Sequence, residues 1–285
     1  LANVSFPRAV GFIGRHLPVC RVVVPRELSI DEIKAMAAAC PPTMDLEVFI
    51  HGALCYGVSG RCYWSSYMGG KSGLRGRCVQ PCRRHYRHGG QTARAFSCQD
   101  FSVDVLVKIL AQVKKVVAWK IEGRKKGPHY VYYTVSAYRM LRDKGHDATV
   151  KRDALSLLDQ NLGRETTHYQ FLPQRPQKPI NTRHQTASGL FMGKVQGPAK
   201  NPWVVVRQAL FPGDVLRIGY EDEPGHAICR VKRHVPVKGR FPLKLGGVKT
   251  PKTGAPVFLT DRREKALETI LAEVEREVRP GEPAG

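Results

Sequence analysis

The sequence is poor in acidic residues and contains no long apolar run. Asp and Glu number 24 against 46 Lys and Arg, which leaves a formal net charge of +22. No stretch of about eighteen apolar residues occurs, which excludes a transmembrane helix, and the first residues do not resemble a signal peptide. We therefore expect an intracellular, cytoplasmic protein with no membrane partner.

The positive charge predicts a polyanionic partner. A net charge of +22 is larger than solubility requires, and nucleic acid is the leading counterpart for such an excess. A basic surface that is simply solvated is the alternative, because charge by itself does not identify a ligand.

Cysteine is clustered rather than evenly spread. Five of the eight cysteines fall between Cys55 and Cys98, whereas Cys20, Cys40 and Cys229 are scattered among apparent strands and helices. Disulfides are rare in reducing compartments, where clustered cysteines indicate metal or redox chemistry. The three scattered cysteines are expected to be small buried residues.

Four of the clustered cysteines have a spacing that suits a metal centre. Cys55, Cys62, Cys78 and Cys82 are separated by six, fifteen and three residues. These intervals differ from the paired Cys-x-x-Cys knuckles of a zinc ribbon. Wide spacing in a glycine-rich segment favours an iron-sulfur cluster, which is commonly held by four thiolates, over zinc.

The stretch around these cysteines contains no acidic residue. From Val48 to Gln99 there is no Asp or Glu. Cations here could offset the charge of a thiolate-bound cluster or bind phosphate groups, and interleaved aromatic rings could stack on bases or pack internally. The candidates for binding phosphates or an anionic carboxylate substrate are Arg61, Arg75, Arg77, Arg83 and Arg84, and the aromatic candidates are Tyr63, Trp64, Tyr67, His85 and Tyr86.

The first half of the chain has the alternation of strands and helices typical of βα units. Residues 20–24 and 45–51 are predicted strands, and Ser29 with Glu32 forms a capping box that begins a helix ending before Pro41. Residues 52–90 are expected to form a long loop. Further elements are predicted at 93–98 (strand), 103–112 (helix), 116–122 (strand) and from Pro128 (helix).

The second half predicts a different architecture. Residues 146–187 are expected to be a linker or crossing segment, which separates an α/β domain over 1–145 from the C-terminal part of the chain. Short strand candidates between Gly and Pro turns predict a small β-barrel over 188–262. An amphipathic helix and a frayed tail are expected over 263–285.

The residues from 47 to 65, EVFIHGALCYGVSGRCYWS, resemble the signature of peptidase family U32, the collagenase-like proteins. The similarity continues through RGRCVQPCRRHY and KIEGRKKGPHYVYYTVSAYR and covers roughly residues 20–260, although Trp64 replaces an expected aliphatic residue. The matching signature positions are Glu47, Phe49, Gly52, Ala53, Leu54, Cys55, Gly60, Cys62 and Ser65.

The resemblance implies a function as well as a fold. It implies the later βα units of a TIM-barrel-like domain followed by a β-barrel, with an N-terminal half or partner chain completing the first barrel. Several family members hydroxylate a tRNA uridine or an rRNA cytidine, using iron-sulfur clusters and prephenate as hydroxyl source, and others hydroxylate quinones. Ligation of a cluster, which the resemblance implies is of the 4Fe-4S type, would carry over to the four clustered cysteines.

Four further residues are candidates for the chemistry. Glu47 and His51 share one strand face, and Glu122 and Arg124 follow the later strand, so all four would lie where barrel active sites lie. Arg124 is suited to hold a carboxylate or phosphate, and His51 to move protons. Internal ion pairing of Glu122 with Arg124, and a structural role for His51, are the alternatives.

Two other functions remain open at this point. The first is a peptidase in which Cys55 acts with His51, although no Gly-x-Ser-x-Gly or His-Glu-x-x-His motif is present. The second is a non-catalytic RNA-binding module with a structural cluster. Its docking residues would lie in the C-terminal barrel, at Arg207, Arg217, Arg230, Lys232 and Arg233.

Overall fold

The computed structural model describes residues 3–123, 126–180, 189–220, 226–243, 252–262 and 265–278. The chain divides into two compact units, which we treat separately. Unit 1 comprises residues 1–124, 134–159 and 164–186, and unit 2 comprises residues 125–133, 160–163 and 187–285. In the part of the chain that the structure describes, none of the helices has both the length and the apolar character to cross a bilayer.

Unit 1 is a mixed α/β structure. Its helices and strands, together with α5, which starts in unit 2, are α1 (Pro7–His16), β1 (Arg21–Val23), α2 (Ile30–Ala38), β2 (Asp45–Ala53), α3 (Trp64–Gly69), β3 (Tyr86–His88), β4 (Gln91–Ala93), β5 (Asp100–Ser102), α4 (Val107–Leu110), β6 (Val116–Ile121), α5 (Pro128–Lys144), α6 (Ala148–Asp159) and β7 (Thr166–Thr167).

Strand β2 is the centre of the main sheet. It pairs in parallel with β1 and β6 and in antiparallel fashion with β5, which in turn pairs in parallel with β7. Leu46, Val48 and Ile50 of β2 are all at most 3% exposed, which agrees with the alternation in the sequence. One face of the strand therefore packs into the core. The residues that follow Ala53 begin next to β5, which pairs with the end of β2.

Helix α2 begins with the predicted capping box. The backbone N–H of Glu32 donates to Ser29 Oγ at 3.3 Å, and the N–H of Ser29 donates to Glu32 Oε2 at 2.7 Å. The Ser29 hydroxyl and the Glu32 carboxylate thus accept from two backbone N–H groups that would otherwise be unpaired at the start of the helix. Ile33 and Met36 are buried, so the cap fixes the position at which the apolar stripe of the helix meets the sheet.

Unit 2 is built mainly of antiparallel strands. They are β8 (Leu190–Lys194), β9 (Trp203–Val205), β10 (Val215–Ile218), β11 (Ala227–Arg230), β12 (Arg240–Pro242) and β13 (Pro256–Asp261), and the last element is α7 (Lys265–Glu277). One sheet has the order β11-β10-β13-β8, and β12 pairs with β9. All six strands lie within residues 188–262, where the sequence predicts short strands.

Several expectations differ from the structure. Of the three scattered cysteines only Cys229 is buried, whereas Cys20 is exposed and Cys40 is half-buried. Residues 93–98 do not form a strand. Strand β4 ends at Ala93, and a turn follows before β5 begins at Asp100. The segment 146–187 contains α6 and β7, since Val150, Ala154, Leu157 and Leu158 form an apolar stripe. The coarser expectation is confirmed, since the described residues form a mixed α/β chain with several sheets and helices. The sheets of these described residues do not close into a barrel.

The capping box yields a stability prediction. Replacing Ser29 by Ala removes the acceptor for the Glu32 N–H, and we expect the free energy of unfolding to fall by about 1 kcal/mol. Urea unfolding monitored by circular dichroism measures this change. Thr43→Ala, at an exposed turn position after the same helix, is the control and should leave the midpoint unchanged. Equal effects of the two substitutions would contradict the capping role.

Candidate metal centre

The predicted cysteines lie on the connection between β2 and β5, residues 54–99, which we call the cysteine segment. It is more structured than the loop expected from the sequence, because it contains α3, two short 3-10 turns and the β3-β4 hairpin. Gly52 marks its start, with φ of +114°, and a Cβ there would lie 2.3 Å from the backbone oxygen of Glu122. Only glycine permits this close approach of two backbones.

The thiols of all four predicted ligands influence one another. Burial raises the pKa of Cys55, a hydrogen bond from the Gly57 backbone and the charge of Arg26 lower it, and Cys62 and Cys78 raise it further. Cys55 retains an exposed surface, but nearby protein atoms remove much of the hydration of its thiol. The segment thus brings sulfur atoms from distant sequence positions into one neighbourhood.

Cys82 belongs to the same neighbourhood. Burial raises its pKa, the adjacent Arg83 lowers it, and Cys55, Cys78 and Cys62 raise it. Gly57 also lies against Cys62, because a Cβ on that glycine would be 3.1 Å from the Cys62 Sγ atom. A set of four thiols that repel one another when ionised is chemically suited to a cationic ligand.

The arrangement does not resemble a site for a single ion. Across the residues that the structure describes, no group of three or more His, Cys, Asp or Glu side chains is close enough to bind one metal ion. In a polynuclear cluster each thiolate binds a different metal atom, so the sulfur atoms stay further apart.

Two arginines fasten the start of the cysteine segment to the rest of unit 1. Arg26 Nη1 donates to the carbonyl oxygen of Ala53, and its guanidinium lies 4.5 Å from the centre of the Phe49 ring. Arg83 Nη2 donates to the carbonyl oxygen of Leu54 at 3.1 Å. The two residues that precede Cys55 are thus both held by charge-assisted hydrogen bonds.

Arg83 also reaches the end of the segment. Its Nη1 atom donates to Ser97 Oγ at 3.0 Å and to the carbonyl oxygen of Cys98. Desolvation, and then the charge of Arg164, lower the pKa of Arg83. This side chain is engaged inside the protein, whereas the sequence pattern predicted a contact with RNA. The sequence does not predict these contacts, because two of the three acceptors are main-chain carbonyls and all three lie 14–29 residues away from Arg83.

Ser65 and Glu27 provide further attachments. The buried Ser65 Oγ donates to the carbonyl oxygen of Lys71 at 2.8 Å and accepts from the Val79 N–H at 2.9 Å. Glu27 accepts hydrogen bonds from both the backbone N–H and the hydroxyl of Ser59. These contacts fix the chain on either side of Cys62 and next to Cys78.

Aromatic rings pack beside the cysteines in two ways. Tyr56, Trp64, Tyr86 and Phe96 pack against one another with centroid separations of 5.1–6.3 Å. Tyr63 and Tyr67 instead are 68% and 88% exposed, one helical turn apart. Of the expected aromatic residues, these two are therefore available to a ligand. The arginines that present an exposed surface are Arg61, Arg75, Arg77 and Arg84.

The predicted catalytic residues lie on β2 and after β6. Lys120 Nζ is 2.5 Å from Glu47 Oε1, so this carboxylate is ion-paired. The buried His51 Nδ1 is 3.3 Å from both Ser102 Oγ and Tyr138 Oη. The Glu122 N–H donates to the His51 carbonyl oxygen at 2.8 Å. Arg124 lies outside the described residues.

A buried polar network surrounds Tyr138 and was not predicted from the sequence. The Tyr138 hydroxyl donates to the Ile50 carbonyl oxygen at 2.9 Å and accepts from the Asp104 N–H at 3.1 Å. Burial raises the pKa of Tyr138, so the phenol stays protonated. This network orients His51, and its only sequence signal is a tyrosine on the inward face of a predicted helix.

The Arg83 contacts can be tested by substitution. Arg83→Met removes its hydrogen bonds and leaves the Leu54 and Cys98 carbonyls without that donor, which costs about 1–3 kcal/mol. We expect chymotrypsin to cleave the cysteine segment on the order of tenfold faster, as read by mass spectrometry of the fragments. Arg84→Met, an exposed neighbour, is the matched control. Identical cleavage rates in the two variants would refute the role of Arg83.

Comparison with known proteins gives the relatives of this chain. It is 29% identical over 188 residues to tRNA hydroxylation protein P of Helicobacter pylori, covering 60% of this chain and 44% of the relative. It is 31% identical over 179 residues to a collagenase of Porphyromonas gingivalis (56% and 42%), and 36% identical over 132 residues to the 23S rRNA 5-hydroxycytidine C2501 synthase of Escherichia coli (43% and 19%).

The chain spans less than half the length of each of these curated relatives. No solved structure gives a significant match to it. The model of peptidase family U32 matches residues 1–182, which include all four clustered cysteines and more than half of the chain. The signature between Glu47 and Ser65 lies within this match, and the chain belongs to peptidase family U32.

Proposed function

We propose that this chain is part of an iron-sulfur-dependent enzyme that hydroxylates a pyrimidine of tRNA or rRNA, with prephenate as the hydroxyl source. The supporting observation is the group of four mutually interacting cysteine thiols on a segment without acidic residues. Relatives named for tRNA hydroxylation and for hydroxycytidine synthesis favour RNA as the substrate class.

The donor set fits a cluster of the 4Fe-4S type. Cys55, Cys62, Cys78 and Cys82 would supply four thiolates. Burial raises the pKa of Cys55 and Cys82, and repulsion between the thiolates adds to this, which bound iron would relieve. When bound, such a cluster supplies one-electron redox chemistry. The nearby Arg26 and Arg83 would lower the net negative charge of the thiolate-bound site.

The remaining candidates have roles around this centre. Glu47, held by Lys120, and Glu122 would shape the substrate pocket, and Arg124 would bind a carboxylate such as that of prephenate. His51 would hold or transfer a proton at Nδ1, where Ser102 and Tyr138 fix its orientation. Arg61, Arg75, Arg77 and Arg84 would contact RNA phosphates.

Tyr63 and Tyr67 would contribute stacking to RNA binding. Both rings are exposed at the start of α3, within the same segment as the arginines. Unpaired bases stack on aromatic side chains with little dependence on base identity, so such a pair would hold a looped nucleotide near the cysteines. An RNA substrate also implies a cytoplasmic location.

We also propose the barrel architecture. Strands β1 and β6 each pair with β2 and, among the described residues, with no other strand. Further parallel strands added at these edges, from an N-terminal half or a partner chain, would complete a TIM-barrel-like domain. Unit 2, with its antiparallel sheets, would be the small β-barrel.

The collagenase relative suggests proteolysis as the competing function. A cysteine nucleophile acts as thiolate and is activated by a lowered pKa, whereas burial raises the pKa of Cys55. His51 Nδ1 is moreover engaged with Ser102 and Tyr138 in the interior. These two observations favour the redox function over the peptidase.

The cofactor is tested by metal analysis. Anaerobically purified protein should contain about four iron and four sulfide per chain and absorb broadly in the visible range. Cys55→Ser should lose most of the iron. Cys20→Ser, which alters another exposed cysteine, should retain it. Zinc in place of iron, or full iron content in Cys55→Ser, would contradict the proposal.

The reaction is tested on cellular RNA. Nucleosides from cells that lack the protein should contain less hydroxylated uridine or cytidine, as measured by mass spectrometry, and wild-type protein should restore them. Cys62→Ser should fail to restore them, and Cys20→Ser should succeed. Unchanged nucleosides in cells without the protein would favour the non-catalytic RNA-binding module instead.

A further inference from the structure

Unit 2 contains a second stretch of sequence without acidic residues. Between Glu223 and Asp261 there is no Asp or Glu, but there are eight cations. They are Arg230, Lys232, Arg233, Lys238, Arg240, Lys244, Lys249 and Lys252. This stretch belongs to unit 2, whereas the cysteine segment belongs to unit 1.

The first part of this stretch forms a two-stranded ribbon. Residues 230–242 run antiparallel to residues 203–214, and we call the two together the basic ribbon. The Val231 N–H donates to the Asp214 carbonyl oxygen at 2.8 Å, and Val235 exchanges two hydrogen bonds of 2.9 Å with Leu210. Pairing of β12 with β9 continues the ribbon to Trp203.

Apolar residues of the ribbon fix which side chains face solvent. Val231, Val235 and Phe241 are at most 6% exposed and belong to the core of unit 2. The cations between them are exposed, and the Lys238 N–H donates to the Val206 carbonyl oxygen next to the exposed Arg207. The backbone thus holds a row of cations on a rigid support.

These cations are not neutralised within the described structure. Asp214 is buried and lies 3.5 Å from Arg262, which is also buried. No carboxylate of the described residues is within 4 Å of Lys232, Arg233 or Lys238. Mutual repulsion of fixed, unpaired cations is relieved by a polyanion, which releases its counterions on binding.

One arginine of the ribbon is oriented by stacking. The Arg240 guanidinium lies 3.7 Å from the centre of the Trp203 ring, which restricts its motion and leaves its edge available to oxygen acceptors. A planar guanidinium held in this way suits two-point binding of phosphate. Arg217, which the sequence pattern placed in the docking set, is buried over Phe258 instead.

We infer that the basic ribbon binds the phosphate backbone of RNA and that unit 2 thereby docks the substrate through residues distinct from the cysteine segment. The inference rests on the proposed RNA-directed function for the choice of polyanion. The ribbon presents cations on extended strands without a continuous apolar face, which favours a phosphate chain over a membrane surface.

The experiment measures RNA binding as a function of salt. In the full-length protein, Lys232, Arg233 and Lys238 are replaced together by Gln. The control replaces Lys34, Arg142 and Arg152, each of which has a carboxylate within 4 Å. Both triple variants lose three positive charges. The charges lost from the ribbon have no carboxylate of the described residues within 4 Å, whereas those lost from the control do. A tRNA transcript is titrated by filter binding between about 0.05 and 0.3 M salt.

We expect the first variant to bind at least about tenfold more weakly at about 0.1 M salt, with a log-log salt slope smaller by about two to three. The control should remain within about twofold of the wild type, and both variants should keep the wild-type thermal midpoint. An unchanged slope in the first variant, or equal losses in the two variants, would overturn the inference. Weaker binding to anionic vesicles but not to RNA would do so as well.

The result is separable from that of the nucleoside experiment. If hydroxylated nucleosides prove independent of this protein while the ribbon variant still loses its salt slope, docking stands and the hydroxylase proposal fails. If hydroxylation depends on the protein while the salt slope of the ribbon variant is unchanged, the hydroxylase proposal stands and the docking inference fails.

Discussion

The hydrogen bonds from Arg26 and Arg83 to main-chain carbonyls are the constraint on which the candidate centre depends. The cysteine segment is long and rich in glycine, and its few short helical turns and one small hairpin cannot define its position alone. Ala53, Leu54 and Cys98 lie at its two ends, and these guanidinium groups bind all three carbonyl oxygens. Burying a guanidinium is costly, and several charge-assisted hydrogen bonds are needed to offset that cost.

Much of the fold was predictable because local signals agree with the tertiary structure. The capping box at Ser29, the alternation in β2 and the short strands of unit 2 were all found, since each is encoded within a few residues. The strand predicted at residues 93–98 was wrong because apolar composition alone does not reveal a turn. Helix α6 was missed because the prolines C-terminal to it suggested a linker throughout.

The cysteines of the candidate site could be proposed from the sequence, but the hydrogen bonds that hold the surrounding backbone could not. Cysteine spacing identified Cys55, Cys62, Cys78 and Cys82, and the structure places their thiols in one neighbourhood. The contacts of Arg83 could not be deduced, because two of its three acceptors are main-chain carbonyls, which carry no residue-type signal. The same holds for Tyr138, whose hydroxyl meets Ile50 and Asp104 only after the helix has packed on the sheet.

The close contact at Gly52 limits which substitutions this part of the chain can accept. Here the backbones of β2 and the residue after β6 touch so tightly that even a methyl group would collide with Glu122. The distance between the sulfur-bearing segment and the strand end that carries Glu122 is therefore set by main-chain atoms. Substitutions further along either segment can change its side chains, while this junction keeps the two backbones at a fixed separation.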